Sequence, residues 1–268
     1  MCGRYYRRSD KQAIADHFRV RNDLSGLVLP DADYNVAPTT MQPVIREARD
    51  TKDRELVLMR WGLIPYFTKA LSDVKGISTI NARAETIATS GTYREPFKRR
   101  RCIIPANGFY EWALSPIASH SDRAEIEAEE EAAVLQLEPK RAHKAKSSGK
   151  TPYRFDMANG QPFAFAGLWD AWKEPKRSPS EIDHWLQSFT IITTDPNELT
   201  AQVHTRMPVI LRPSDYDRWL SREINAPEEL PLDLLRPYPA EEMEMRRANQ
   251  SVGNVKNNSP ELLNSTEN

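Results

Sequence analysis

What most narrows the fold of this chain is a series of short β-type segments with no long helix between them. Met41–Arg46, Glu55–Trp61, Cys102–Pro105, Gly108–Trp112, Tyr153–Met157, Pro162–Trp172, Ser188–Thr194 and Val209–Leu211 read as strands, separated by turn-forming residues. Helical spacing is confined to short pieces. Lys11–Val20 carries Ile14, His17 and Phe18 on one face behind a capping Asp10. Short helices are also expected just after Asn81 and over Asn197–Val203, Pro213–Arg222 and Pro227–Leu235. Asn159-Gly160 carries a hairpin-turn signal. No strand-helix-strand alternation runs through the chain, so the expected class is α+β with mostly antiparallel strands.

Residues 114–150 depart from this pattern. An acidic block (Glu125, Glu127, Glu129, Glu130, Glu131) precedes a basic one (Lys140, Arg141, Lys144, Lys146, Lys150), with few apolar residues to order them. The expectation is one domain over residues 1–256, a charged disordered insertion at 114–150, and a polar disordered tail at 257–268. The net charge of −1 gives no global signal for nucleic acid, so an anionic partner needs local clustering of the 37 Lys and Arg residues. Five scattered histidines and two cysteines offer no metal-ligand spacing, and no cofactor is expected. The polar, basic first ten residues lack the apolar core of a signal peptide, and no apolar run reaches the roughly 18 residues of a membrane span. The expected setting is a reducing cytoplasm, with Cys2 and Cys102 as free thiols.

The chemistry concentrates at Met1-Cys2-Gly3-Arg4. Removal of Met1 exposes a cysteine whose α-amine and thiol sit on adjacent carbons. Such a pair condenses with an aldehyde: the amine forms an imine and the sulfur closes onto its carbon, giving a five-membered thiazolidine. An α-amine titrates near 7.7–8.0 and a thiol near 8.5, so modest tuning makes both nucleophilic at neutral pH. Gly3 allows close approach, and Arg4 supplies a fork of donors suited to phosphate. Four other residues fit aldehyde chemistry when taken together with Cys2: Asn81, Arg83, Glu111 and His204. Singly, each has a plain structural reading as a helix cap, a surface cation, a strand carboxylate and a loop histidine. As a set, a buried Glu can act as base, His as proton-transfer agent and Asn as orienter of the amine.

The chain resembles the SOS response-associated peptidase (SRAP) family, the abasic-site processing proteins. The matching stretches, in order, are Met1-Cys2-Gly3-Arg4, Tyr34-Asn35-Val36-Ala37-Pro38, Trp61-Gly62-Leu63-Ile64-Pro65, Ile80-Asn81-Ala82-Arg83-Ala84-Glu85-Thr86, Gly108-Phe109-Tyr110-Glu111-Trp112, His204-Thr205-Arg206-Met207-Pro208 and Val252-Gly253-Asn254-Val255-Lys256. The resemblance implies a barrel-like core with short peripheral helices, acting as a monomer on single-stranded DNA that contains abasic sites. It implies a covalent thiazolidine between processed Cys2 and the ring-opened sugar, with Met1 removed either by a housekeeping aminopeptidase or by the protein itself. By the same resemblance Asn81 positions the amine, Glu111 is the base, and His204 is the acid of ring opening and Schiff-base chemistry. Arg4 and Arg83 grip phosphates, Pro38 wedges, Tyr66 and Phe67 stack against DNA, and Arg206 is a further phosphate contact. Two other classes stand beside this one: a thiol peptidase of N-terminal-nucleophile type, and a non-catalytic reader of modified DNA. Replacing Cys2 by Ala separates the reader from the capturing enzyme.

Overall fold

A computed structural model describes residues 2–74, 79–113, 150–174 and 184–264. Its strands are β1 (Tyr5–Arg7), β2 (Asp33–Val36), β3 (Met41–Glu47), β4 (Arg54–Trp61), β5 (Asn81–Arg83), β6 (Arg101–Ala106), β7 (Gly108–Ala113), β8 (Thr151–Met157), β9 (Phe163–Lys173), β10 (Trp185–Thr194), β11 (Met207–Pro208), β12 (Ile210–Leu211) and β13 (Met243–Arg247). The helices are α1 (Lys11–Phe18), α2 (Arg94–Arg99) and α3 (Tyr216–Leu220). A five-stranded antiparallel sheet runs β13-β8-β7-β1-β2, and an eight-stranded sheet runs β11-β10-β4-β3-β6-β9-β12 with β5 attached to β10. Because β9 also pairs along β10, the strands β10-β4-β3-β6-β9 close on themselves as a barrel. The expected α+β, mostly antiparallel, barrel-like class is what the chain adopts. Only the pairings of β10 with β4 and with β5 are parallel among the described strands.

Closure depends on side-chain size at one position. At Gly167 on β9 an added Cβ would lie 2.3 Å from Ile104 Cδ1 and 2.8 Å from the Thr190 carbonyl oxygen. A missing side chain lets β10 approach β9 there, as close backbone contact in a sheet requires. One core continues from inside the barrel to the five-stranded sheet, with Met59, Trp61, Phe165 and Phe189 meeting Tyr5, Phe109 and Phe155. A second core lies where α1, α2 and α3 cover the barrel's outside, with Ile14, Phe18, Phe97 and Trp219 on Ile45, Ile103 and Leu168. The α1 expectation holds to its cap: the Asp10 carboxylate accepts from the Ala13 N–H at 2.8 Å. Arg19, at φ 55°, ends the helix in a left-handed C-cap.

Several local expectations are corrected. Gly160 turns at φ 67°, but the Asn159-Gly160 turn does not join paired strands, because β8 and β9 belong to different sheets. The turn sets a local reversal. Burial decides the sheet: β9 is buried on both faces over most of its length, whereas β8 alternates. The expected 227–235 helix is a single 3₁₀ turn, Leu232–Leu234, following Pro231, which has no N–H to offer a helix. The helix after Asn81 is likewise one 3₁₀ turn, Ala84–Thr86, with Asn81 itself in β5. The tail expected to be disordered from 257 is packed through Pro260–Leu263. Leu262 is buried beside Tyr6, Tyr110 and Val252, and that apolar contact holds the segment. Of the 114–150 insertion, only Lys150 lies within the described residues. Among those residues no helix is long and apolar enough to cross a membrane.

Candidate functional site

Cys2 is fully buried, at the point where the barrel interior meets the five-stranded sheet. β1 positions it. Tyr5 pairs with Phe109 and Tyr6 with Gly108, and the Tyr110 N–H donates to the Arg4 carbonyl at 2.9 Å. Continuing that register sets Glu111 across from Gly3, one residue from Cys2. The Glu111 carboxyl is buried, and its charge acts directly on the Cys2 thiol. From the other side β5 runs parallel to β10, with Asn81 paired to Ile191. The Asn81 side-chain N–H donates to the Cys2 carbonyl at 3.0 Å. Its Oδ1 is buried with no hydrogen-bond partner. The Asn81 carbonyl in turn accepts from the Tyr93 hydroxyl at 3.2 Å. A buried acceptor left unmatched beside a chain terminus is a place for a donor to dock.

The electrostatics of the pocket hold the thiol neutral. Burial pushes the Cys2 thiol well up, the Glu111 charge pushes it further, and the positive N-terminus and the Arg4 backbone N–H oppose them only in part. His204 lies between Thr200–Gln202, a 3₁₀ turn, and β11. Its Nδ1 accepts from the Arg206 backbone N–H at 3.0 Å, which leaves the proton of the neutral ring on Nε2. Burial, followed by the N-terminal charge, lowers its pKa from 6.5 to about 4. At neutral pH His204 is therefore an uncharged imidazole that donates through Nε2–H. The resemblance cast it as an acid; the neutral ring of the free protein can hydrogen-bond a leaving oxygen but holds no proton to release near neutral pH. Lys150 also acts on His204, so the foot of the insertion borders the site.

A stability consequence follows from that lowered value. The folded state binds fewer protons than the unfolded chain between about 4 and 6.5, so the contribution of the neutral ring is intact above 6.5 and lost as pH falls toward 4. Thermal melts across that window are expected to show a cost of roughly 3 kcal/mol, or several degrees of Tm, that shrinks in His204→Gln. An identical acid-side slope in the variant would show that the ring titrates normally.

The residues expected to face DNA divide into three kinds. Arg4 is half-buried and structurally engaged: its guanidinium donates to Asn35 Oδ1 at 2.7 Å and to the Val252 carbonyl at 3.1 Å. Asn35 Nδ2 also reaches the carbonyls of Val252, Asn254 and Asn257. Three distant motifs are thereby tied around the N-terminus. Arg83 is exposed at the end of β5. Arg206, expected as a phosphate contact, is engaged within the protein: it is bidentate to Glu85 at 2.9 and 2.9 Å, with Asp195 at 3.1 Å and the Thr193 carbonyl at 2.8 Å. Those acceptors, two of them surface carboxylates, hold the guanidinium in place and tie down the loop whose backbone N–H sets the His204 tautomer.

Pro38 is half-buried in the β2–β3 turn, followed by Thr39 at φ 73°. That conformation is strained for a β-branched residue. The Thr39 N–H donates to the Trp61 carbonyl at 2.9 Å, linking the turn to the segment that leads into Tyr66 and Phe67. Those two rings are 63% and 56% exposed and meet edge to face at 5.4 Å. Among the described residues they form an open, solvent-exposed aromatic platform. Asn35 and Glu85 lay within recognisable motifs but had no role assigned from sequence. Tyr93 and Asp195 carried no sequence signal at all. Among the described residues no cluster of His, Cys, Asp or Glu is placed to hold a metal ion.

Comparison with known proteins places this arrangement. The profile of the SOS response associated peptidase (SRAP) family matches residues 1–133 and 137–255. A Bacillus subtilis protein named abasic site processing protein YoqW is 36% identical over 269 residues, spanning 99% of this chain and 100% of that protein. Abasic site processing protein HMCES of Xenopus tropicalis is 29% identical over 242 residues, spanning 86% of this chain and 65% of that protein. A solved Bacteroides thetaiotaomicron structure shares the fold with a TM-score of 0.74 at 24% identity, covering 99% of this chain and 100% of its own. A Bordetella bronchiseptica structure does so with a TM-score of 0.67 at 26% identity, covering 92% and 100%. With the family profile spanning nearly the whole chain and YoqW aligned over almost all of both sequences, this protein belongs to the SOS response associated peptidase family.

Proposed function

We propose that this protein processes abasic sites in DNA, capturing the ring-opened sugar of a lesion in a single strand as a covalent thiazolidine on Cys2. The supporting observation is the convergence on one buried N-terminal cysteine of Asn81 by a hydrogen bond and of Glu111 by its charge, with His204 coupled to the charge of the same terminus. The relatives' names point to the same substrate.

The chemistry balances without a cofactor. Hydrolysis of the Met1–Cys2 peptide bond consumes one water and frees the α-amine. Asn81 Oδ1, buried and unmatched, is the acceptor that holds this amine with its lone pair toward the site. The amine adds to the aldehyde carbon to give a carbinolamine. The departing hydroxyl takes up a proton from solvent while the neutral His204 ring hydrogen-bonds to it through Nε2–H, and one water leaves as the iminium forms. The Cys2 sulfur then bonds to the iminium carbon and its proton passes to Glu111. The order follows from the elevated thiol: the amine attacks first, and the sulfur reacts once the electrophile is cationic. Capture shields the lesion from strand cleavage. The family's peptidase name fits the removal of Met1.

Intact-mass measurement before and after incubation with an abasic-site oligonucleotide tests this. The expected result is loss of Met1 and a DNA adduct stable to denaturation. A matured protein that forms no adduct would overturn lesion capture and favour a peptidase or a reader.

A further inference from the structure

A groove of about 850 Å³ opens at the end of the barrel away from Cys2, lined among others by Tyr66, Trp169, Trp185, Arg49, Arg99 and Arg222. The β10 register gives its position. Asn81 lies at the level of Ile191, whereas Trp185 is at the start of the same strand. At about 3.3 Å per residue the two levels are roughly 20 Å apart.

Three features of the groove point one way. First, the aromatic side chains that are largely exposed among the described residues are Tyr66, Phe67 and Trp185. Two of these line the groove, and the third is the edge-to-face partner of Tyr66. Trp185 is 60% exposed, with the Lys173 ammonium 5.8 Å from its ring centroid. Second, the groove has an excess of uncommitted positive charge. Three of its acidic residues are ion-paired, Glu55 with Arg46, Asp170 with Arg100 and Glu95 with Lys98, which leaves Glu47, bonded to the Arg222 backbone N–H, against three arginines. Arg49, Arg99 and Arg222 are exposed and make no ion pair with any described residue. Third, the groove is joined to the aromatic platform. Tyr66 belongs to both, and its backbone N–H donates to Asp170 in the groove wall at 3.3 Å.

We propose that this groove is a second track for single-stranded DNA, taking the strand beyond the stretch held at Cys2. Phosphates lie on Arg49, Arg99 and Arg222, and unstacked bases lie on Tyr66 and Trp185. The proposal rests on the reading of the protein as a single-strand-binding, lesion-capturing enzyme. Duplex DNA would not serve as the occupant, because its bases are already stacked and show no face to the rings. The platform and the groove together suit a strand longer than about 4 nucleotides.

The test uses the full-length protein and labelled thymidine oligonucleotides of graded length, with binding followed by fluorescence anisotropy. Wild-type affinity is expected to rise by about tenfold or more once the strand is long enough to reach Trp185. In the triple variant Arg49→Ala, Arg99→Ala, Arg222→Ala the gain with length disappears, and the salt slope falls by about 2. Trp185→Ala loses most of the same gain, and Trp185→Phe keeps it. Equal length dependence in wild type and the triple variant, with both folded by circular dichroism, would overturn the proposal. Crosslinking of a short abasic oligonucleotide is measured in parallel and is expected to be unchanged in these variants. Failure of the wild type to crosslink would sink the Cys2 chemistry, and the length series would still decide the groove.

Discussion

Protein carrying a three-residue extension before Cys2 that cannot be removed is expected to form no adduct with abasic-site DNA while binding the oligonucleotide with little change in affinity. An acylated nitrogen has its lone pair in the amide and cannot add to an aldehyde. The residues expected to hold DNA lie elsewhere, at the exposed Arg83 and the Tyr66–Phe67 platform. Cys2→Ser refines the test. It keeps the amine and loses the sulfur, so it should give only a hydrolysable imine, trapped as an adduct by borohydride and lost without it. The two variants together separate the roles of nitrogen and sulfur. Adduct formation by the extended protein at the wild-type rate would eliminate the thiazolidine mechanism, and a borohydride-independent adduct in Cys2→Ser would eliminate ring closure by sulfur.

Glu111→Gln is expected to slow single-turnover crosslinking by about 10²–10⁴-fold, the usual span for a lost general base. The sign of this change is informative, because Glu111 has two opposing influences. Its charge raises the Cys2 thiol pKa, so removing that charge by itself makes the thiol easier to ionise. If Glu111 acted only through this field, the Gln variant would react faster. If it accepts the thiol proton during ring closure, the variant reacts much more slowly despite the easier ionisation. Gln is close in size to Glu, so the buried position stays filled and a change in rate is not a repacking effect. A rate equal to or above wild type would remove Glu111 from the role of base.

Much of the architecture was legible because it rests on local periodicity. Alternating and doubly apolar segments marked the strands, Asp10 marked the start of α1, and the absence of long helical spacing ruled out a parallel doubly wound sheet. Boundaries failed where propensity met proline, as at Leu232–Leu234, or where contacts distant in sequence ordered a polar segment, as at Leu262. The site residues could be named from motifs, but their states could not. Arg206 read as a phosphate candidate in sequence, and in the fold it is the ion-pair partner of Glu85 and Asp195. His204 looked like an ordinary titrating imidazole, and burial beside a positive terminus keeps it neutral.

The sequence by itself determined the fold class, the position of Cys2 and the identity of the groups gathered around it, because these depend on residue type and order. The tertiary structure alone decided sheet membership, barrel closure at Gly167, the neutrality of Cys2 and His204, and the engagement of Arg4 and Arg206. Those properties depend on desolvation and on charges brought together from residues 2, 85, 111, 195 and 204, which are neighbours only once the chain has folded.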